Sequence, residues 1–242
     1  MTPILSVSGL TKRFGGLQAL GGVSFDVRPG EILGVIGPNG AGKTTMFSVL
    51  TGQVRADAGS VRLDGMEVAG LPAHRIAALG MVKTFQNVAL FLDATVLDNI
   101  LVGGLLRKPR VRDARTLARA TLDRCGLSHL SDRRAGDLTF PERARIEVAR
   151  ALSTEPRVLL LDEAMASLNP VEMDGQLALI RGLRDEGLTV LVVEHHMRAV
   201  MSLCDRVLVL CFGVPIALGT PAEIIRDPEV IRAYLGTDAD AA

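Results

Sequence analysis

The residues Gly37-Pro38-Asn39-Gly40-Ala41-Gly42-Lys43-Thr44 follow the spacing G-x-x-x-x-G-K-[ST]. That spacing has a physical purpose. Glycines let the main chain wrap closely round phosphate oxygens, with successive N–H groups pointing inward as an anion nest. A helix opening at the end of the loop turns its positive dipole end on the same phosphates. Lys43 is then placed to reach the β- and γ-phosphates of a nucleotide, and the Thr44 hydroxyl to ligate Mg²⁺. The run from Gly37 to Thr45 is therefore expected to bind ATP. A glycine-rich turn with a chance lysine would share the composition but not the context, an apolar run before it and a helix after it.

Kinases, GTPases and motor ATPases share such a loop, so the rest of the chain must decide. Val158-Leu159-Leu160-Leu161 is an apolar strand ending in Asp162-Glu163. An Asp at that place orients Mg²⁺ in P-loop enzymes, and Glu163 is placed to polarise an attacking water as general base. Leu191-Val192-Val193 repeats the pattern and ends in Glu194-His195-His196. Ligands of open α/β sheets collect outside that carboxyl edge, where a histidine can reach a γ-phosphate or the attacking water. A pair of solvated loop histidines fits the same local pattern. Metal binding by them is disfavoured, because adjacent histidines point apart and no further Cys or His cluster is near.

The elements that must position these residues read as an α/β fold. Residues 4–30 look like short strands and turns, and Ile32 to Ile36 is an apolar run of buried-strand type leading into the loop. Residues 59–68 read as strand and turn, with Asp64-Gly65 as the hairpin signal. From about 87 to 136 Leu, Ala and Arg dominate at helical spacing, which predicts a mostly helical lobe inserted into the core. Beyond it helices (143–152, 172–186, 197–202) alternate with strands (158–161, 189–193, 207–211), so a parallel sheet covered on both faces is expected. The organisation predicted is one domain over 1–242: a core of 1–86 and 137–236, the lobe 87–136, and a frayed tail 237–242.

Composition narrows the function classes. The chain has 242 residues, 48% of them apolar but only 3% aromatic, so its core must be aliphatic. The 27 basic and 27 acidic residues cancel, and the short basic clusters near Arg107 and Arg133 read as solvated helix faces, so no nucleic-acid partner is expected. Cys125, Cys204 and Cys211 are odd in number and lack C-x-x-C spacing, which fits reduced thiols. No signal-peptide pattern opens the chain, and no apolar stretch is long enough to span a bilayer. Any membrane link is expected to come through a partner.

These pieces in this order resemble the nucleotide-binding subunit of ABC transporters, over about residues 5 to 236. The resemblance implies an N-terminal antiparallel β subdomain beside the P-loop core. It also implies that Phe14 stacks on adenine and that Gln86, in Lys83-Thr84-Phe85-Gln86-Asn87, senses Mg²⁺ and contacts the membrane subunit. Glu163, His195 and Gln86 become the catalytic set, with Thr44, Gln86 and Asp162 around Mg²⁺. A narrower likeness, to the branched-chain amino acid importer branch, lies in Thr84-Phe85-Gln86-Asn87, Thr95-Val96-Leu97-Asp98-Asn99, Ala166-Ser167-Leu168-Asn169-Pro170, Glu194-His195 and Ala233-Tyr234-Leu235-Gly236. It implies an importer with two membrane-spanning permease subunits, a second ATPase subunit of the same or a paralogous kind, and an extracytoplasmic solute-binding protein. The chain would then lie peripherally on the cytoplasmic face of the membrane. The segment Val88 to Phe91 is either part of the permease groove or ordinary lobe core.

One segment departs from the family. Its signature normally reads Leu-Ser-x-Gly-Gln, and here it reads Leu138-Thr139-Phe140-Pro141-Glu142. In the family dimer this segment faces the γ-phosphate held by the other subunit. Thr139 keeps a hydroxyl that could serve there, whereas Pro141 has no N–H and Glu142 adds a negative charge. Locally, Thr139-x-x-Glu142 is a capping-box pattern and Pro suits a first helical turn, so a helix is expected to form. Slower hydrolysis is the expectation. The alternatives are a soluble ABC ATPase or a weakly hydrolysing nucleotide-sensing module; retention of Lys43, Asp162, Glu163 and His195 speaks against the latter.

Overall fold

The computed structural model describes residues 2–84, 89–165 and 168–239. The chain opens with strands β1 (Leu5–Phe14), β2 (Leu17–Val27) and β3 (Ile32–Ile36), then helix α1 (Lys43–Leu50). Strands β4 (Ala58–Leu63) and β5 (Met66–Glu67), helix α2 (Ala73–Leu79) and strand β6 (Met81–Lys83) follow. Helices α3 (Val96–Gly104), α4 (Val111–Arg124) and α5 (Phe140–Leu152) come next, with short 3₁₀ turns at Ser128–Leu130 and Ala135–Asp137. The last part alternates: β7 (Val158–Asp162), α6 (Pro170–Asp185), β8 (Thr189–Val193), α7 (Met197–Leu203), β9 (Arg206–Cys211), β10 (Val214–Gly219), α8 (Pro221–Ile224) and α9 (Pro228–Ala239).

The strands form two sheets. One is antiparallel, in the order β2-β1-β4-β5; the other runs β10-β9-β3-β8-β7-β6. In the second sheet β9, β3, β8, β7 and β6 are mutually parallel and β10 is antiparallel to β9. The parallel core sheet gains its antiparallel strand β10 for a local reason. Phe212 and Gly213 both have positive φ (48° and 78°), the backbone a tight primed hairpin needs. Pro215 then lies on the sheet's outermost strand, where its missing N–H is tolerated.

The central strands are buried on both faces, and their residues alternate between two cores. Ile32, Ile36, Leu159, Leu161, Val190, Val192, Val207 and Val209 face the helices that include the lobe. Leu33, Val35, Val158, Leu160, Leu191, Val193, Leu208 and Leu210 face α1 and the antiparallel sheet. Removing one fully buried leucine here, for example by Leu160→Ala, is expected to cost ~2–5 kcal/mol.

Helix α3 packs closely on α5. A Cβ on Gly103 of α3 would meet Arg150 O at 2.4 Å, so glycine permits the approach of α3 to α5. Asn99, wholly buried, accepts from Phe91 N at 2.8 Å and donates to Phe91 O and Thr95 O. The Thr95 hydroxyl caps α3 by accepting from Asp98 N. At the other end of the chain α9 runs from Pro228 to Ala239.

No described helix is long and apolar enough to cross a membrane. All three cysteines are free, and burial pushes the Cys125 and Cys204 thiols up to about 11 and about 12.

Candidate nucleotide and hydrolysis site

The sheet order brings three distant segments to one edge. In parallel register Ile32 pairs with Val190, Val35 with Val193, and Asp162 with Val193. The residues that follow β3, β7 and β8 therefore emerge side by side: Gly37, Glu163 and Glu194-His195. A single cavity of about 390 Å³ is lined by Phe14, Leu17, Gln18, Ala19, the segment Asn39 to Thr45, Glu163 and His195.

The loop from Gly37 to Gly42 needs its glycines at specific places. Gly37 has φ 152° and Gly42 has φ 98°. A Cβ on Gly37 would stand 2.0 Å from Leu210 O, and one on Gly42 would stand 2.5 Å from Ala19 O. Gly42 is the N-cap of α1 and supplies no side-chain acceptor, so no side chain caps the opening of the helix toward the cavity. Lys43 folds back over the loop, its Nζ donating to Gly37 O at 2.7 Å and to Pro38 O at 3.0 Å. Burial lowers the Lys43 pKa, with the carboxylates of Glu163 and Asp162 opposing. Phe14 is half exposed at the cavity wall, and the Lys12 ammonium lies 5.3 Å from its ring centroid. Asp57 holds that ammonium at 2.8 Å.

The carboxylates sit opposite. Asp162 is 1% exposed, with Oδ2 at 3.5 Å from Lys83 Nζ, and Oδ1 is buried without a hydrogen-bond partner. Burial raises the Asp162 pKa, Lys83 opposing. A small hard cation takes oxygen ligands. An orphaned carboxylate oxygen whose charge acts on Lys43, the residue before Thr44, fits a Mg²⁺ ion with phosphates to complete the set. Glu163 has φ 54°, a left-handed conformation rare for a side chain of this kind. Its N–H donates to Val193 O at 3.0 Å, and its Oε1 lies 2.6 Å from His195 Nε2.

Two neighbours of this site were not singled out from the sequence. Lys83 ends β6, on the same edge, and its ion pair with Asp162 is buried. Glu194 is 2% exposed and its Oε1 accepts from Met165 N at 2.8 Å. Burial pushes Glu194 up to about 7, and the charges of Glu163 and Asp162 push the same way, against the Met165 and His195 N–H groups. The sequence signal for both was position: each is a charged residue at the carboxyl end of an apolar strand.

Thr139 lies elsewhere, at the N-cap of α5, and is not among the residues lining the cavity. The capping box forms as expected, with Pro141 in the first turn. Its chemistry changes one expectation. Thr139 N and Thr139 Oγ1 both donate to Glu142 Oε2, at 2.8 and 2.9 Å. The hydroxyl read as a spare donor is engaged within the chain, because a carboxylate three residues on is the nearest strong acceptor. Those bonds hold Glu142 below the usual carboxylate range. Gln86, with Phe85, Asn87 and Val88, and also Ala166 and Ser167, lies outside the described residues. Of the described residues of the segment ending at Phe91, Leu90 is buried, whereas Ala89 is exposed and Phe91 is 57% exposed.

Residues 20–166 match the family model described as ABC transporter. Residues 214–240 match one described as branched-chain amino acid ATP-binding cassette transporter. The chain is 46% identical to the high-affinity branched-chain amino acid transport ATP-binding protein BraF of Pseudomonas aeruginosa, over 97% of this chain and 98% of BraF. It is 44% identical to the corresponding protein LivG of Salmonella typhimurium, again over 97% and 98%. Among solved structures, the ADP conformation of the ATP-binding cassette MJ1267 superposes with a TM-score of 0.88 at 30% identity, over 98% of this chain and 100% of that one.

Proposed function

The chain belongs to the ABC transporter family, and on that premise we propose that it is the ATP-hydrolysing subunit of an importer of branched-chain amino acids. One observation carries the hydrolytic part: the loop lysine, the Asp162-Glu163 pair and His195 meet at one sheet edge, with Glu163 and His195 in contact. The substrate class is supported by the names of BraF and LivG and by the match of residues 214–240.

In this reading the N–H groups of Gly37 to Thr45 and the Lys43 ammonium bind the triphosphate, and Phe14 stacks on adenine with the ring face not covered by Lys12. Thr44, Asp162 and Gln86 would hold Mg²⁺, which when bound neutralises charge on the β- and γ-phosphates. Glu163 takes a proton from the water that attacks the γ-phosphorus, and the bond to the ADP oxygen breaks. His195 orients that water or the γ-phosphate, and its present contact with Glu163 keeps both groups at the right edge. Gln86 relays the state of the site to a membrane partner.

We place the partners by surface chemistry. Exposed Phe91, Leu92 and Val102 rim two adjoining grooves, lined also by Val82, Ala89 and Gly103. Exposed apolar side chains beside the charged groups Asp93, Asp98, Glu147 and Arg150 suit an amphipathic segment of a membrane-spanning permease. Two permease subunits, a second ATPase subunit and, indirectly, an extracytoplasmic solute-binding protein complete the assembly, with this chain peripheral at the cytoplasmic face. The domain division proposed is a core of 1–86 and 137–236 around the lobe 87–136.

The test is uptake of radiolabelled leucine into vesicles carrying the assembled complex, with and without internal MgATP. ATP-dependent leucine uptake supports the reading; ATP turnover with no uptake of any branched-chain amino acid rejects the substrate class.

A further inference from the structure

We propose that Glu194 is a positioning residue for hydrolysis, its buried carboxylate tying the turn that carries Glu163 to the strand end that carries His195. The proposal rests on the reading of Glu163 as general base.

The ladder between β7 and β8 ends at the pair Asp162 and Val193. Past it, Glu163 enters the left-handed region and still donates its N–H to Val193 O. A non-glycine residue persists in that conformation only where the surroundings over-determine it. The next tether is different in kind. Met165 N–H is buried and finds no strand carbonyl; it donates to Glu194 Oε1 at 2.8 Å. A side chain thus replaces the ladder where the chain reverses.

A carboxylate is a costly choice there. Glu194 is 2% exposed and lies near two other carboxylates, Asp162 and Glu163. An apolar residue would avoid that cost but would leave the Met165 N–H without an acceptor. The tether joins the two loops whose catalytic atoms touch, since His195 follows Glu194 directly and lies 2.6 Å from Glu163. Glu194 itself is not among the residues lining the cavity. Its effect is through Glu163. A displacement of about 1 Å at a reacting group can cost about 100-fold in rate.

The experiment compares Glu194→Gln and Glu194→Met in the full-length chain purified with its membrane subunits, reading kcat and KM for MgATP. Gln keeps an acceptor oxygen in the same place; Met keeps the size and removes the acceptor. Expected are a kcat within about threefold of wild type for E194Q, and a kcat lower by about 10- to 100-fold for E194M. KM should stay within about twofold for both, because Lys43 and the glycine loop are untouched. Wild-type kcat in E194M, or a fall in E194Q as deep as in E194M, overturns the proposal. So does a loss that appears only in KM. If E194M does not fold, the E194Q arm still decides, since a large fall there is incompatible with an acceptor role. Glu163→Gln runs alongside: unchanged turnover in E163Q overturns the general-base reading, whereas unchanged turnover in E194M overturns only the role of Glu194.

Discussion

His195 Nε2 and Glu163 Oε1 lie 2.6 Å apart although the residues are separated by 32 positions in the chain. The contact unites the ends of two neighbouring parallel strands, and it places a histidine on the carboxylate proposed to activate water. Both side chains line the same cavity. The proposed phosphate contacts come from the glycine loop and Lys43, and the proposed water activation from Glu163 and His195, so binding and hydrolysis should largely separate on mutation.

That separation is the first prediction. Glu163→Gln should retain nucleotide affinity within a few-fold and lower kcat by at least about 100-fold, the lower end of the range for loss of a general base. His195→Ala should lower kcat by a similar order with little change in affinity. Equilibrium binding of a fluorescent ATP analogue, beside steady-state turnover, checks both. A parallel loss of binding and turnover would contradict the assignment.

Lys43 presents the opposite case. Its ammonium bonds the loop carbonyls of Gly37 and Pro38, so Lys43→Met should remove the proposed phosphate contact and loosen the loop together. ATP at 100 times its Kd should stabilise the wild-type chain by about 2.7 kcal/mol. Thermal unfolding with and without MgATP should show that gain lost in K43M.

The signature segment yields a prediction with two opposed signs. Pro141→Gly restores an N–H at the start of α5 and is expected to raise turnover of the assembled complex. It also gives up a residue suited to the first helical turn, so the melting temperature should fall slightly. Thr139→Ala removes the cap and is expected to cost ~1 kcal/mol. Turnover by P141G that is unchanged or lower than wild type would reject a role for Pro141 in slowing hydrolysis.

Glu194 predicts a pH dependence of stability in the nucleotide-free chain, measured in EDTA. Its folded-state pKa is raised to about 7 from the ordinary value of 4.5. For a group whose folded pKa is raised, the stabilising contribution is full below the unfolded value and is lost as pH rises through the folded one. Stability from this group should therefore fall between about pH 4.5 and 7, by at most about 3.5 kcal/mol at ~1.4 kcal/mol per unit. Asp162, raised by burial as well, acts in the same sense. Denaturant midpoints of wild type minus E194Q across that range isolate the Glu194 part, and a difference independent of pH would contradict it.

Much of this protein is local enough to be read from the chain. The loop spacing from Gly37 to Thr44, the apolar run into Asp162-Glu163 and the Thr139-x-x-Glu142 box each lie within a few residues. Their geometry follows from the backbone that those residues favour. The tertiary structure alone decided which of them meet. Strands such as Val158–Asp162 and Thr189–Val193 are buried at every position and carry uninterrupted apolar runs, so no alternation in them reveals a register, a face or a neighbour. Only the order β3-β8-β7 sets Gly37, His195 and Glu163 at one edge. The same holds for Lys83 on Asp162 and for Glu194 on the Met165 N–H, contacts made across 79 and 29 positions. Thr139 shows the converse: its donor is legible in the sequence, but whether that donor is spare depends on where the Glu142 carboxylate settles, and it settles on Thr139. Non-local pairing and the competition for each polar group are properties of the packed chain, and no stretch of residues carries them by itself.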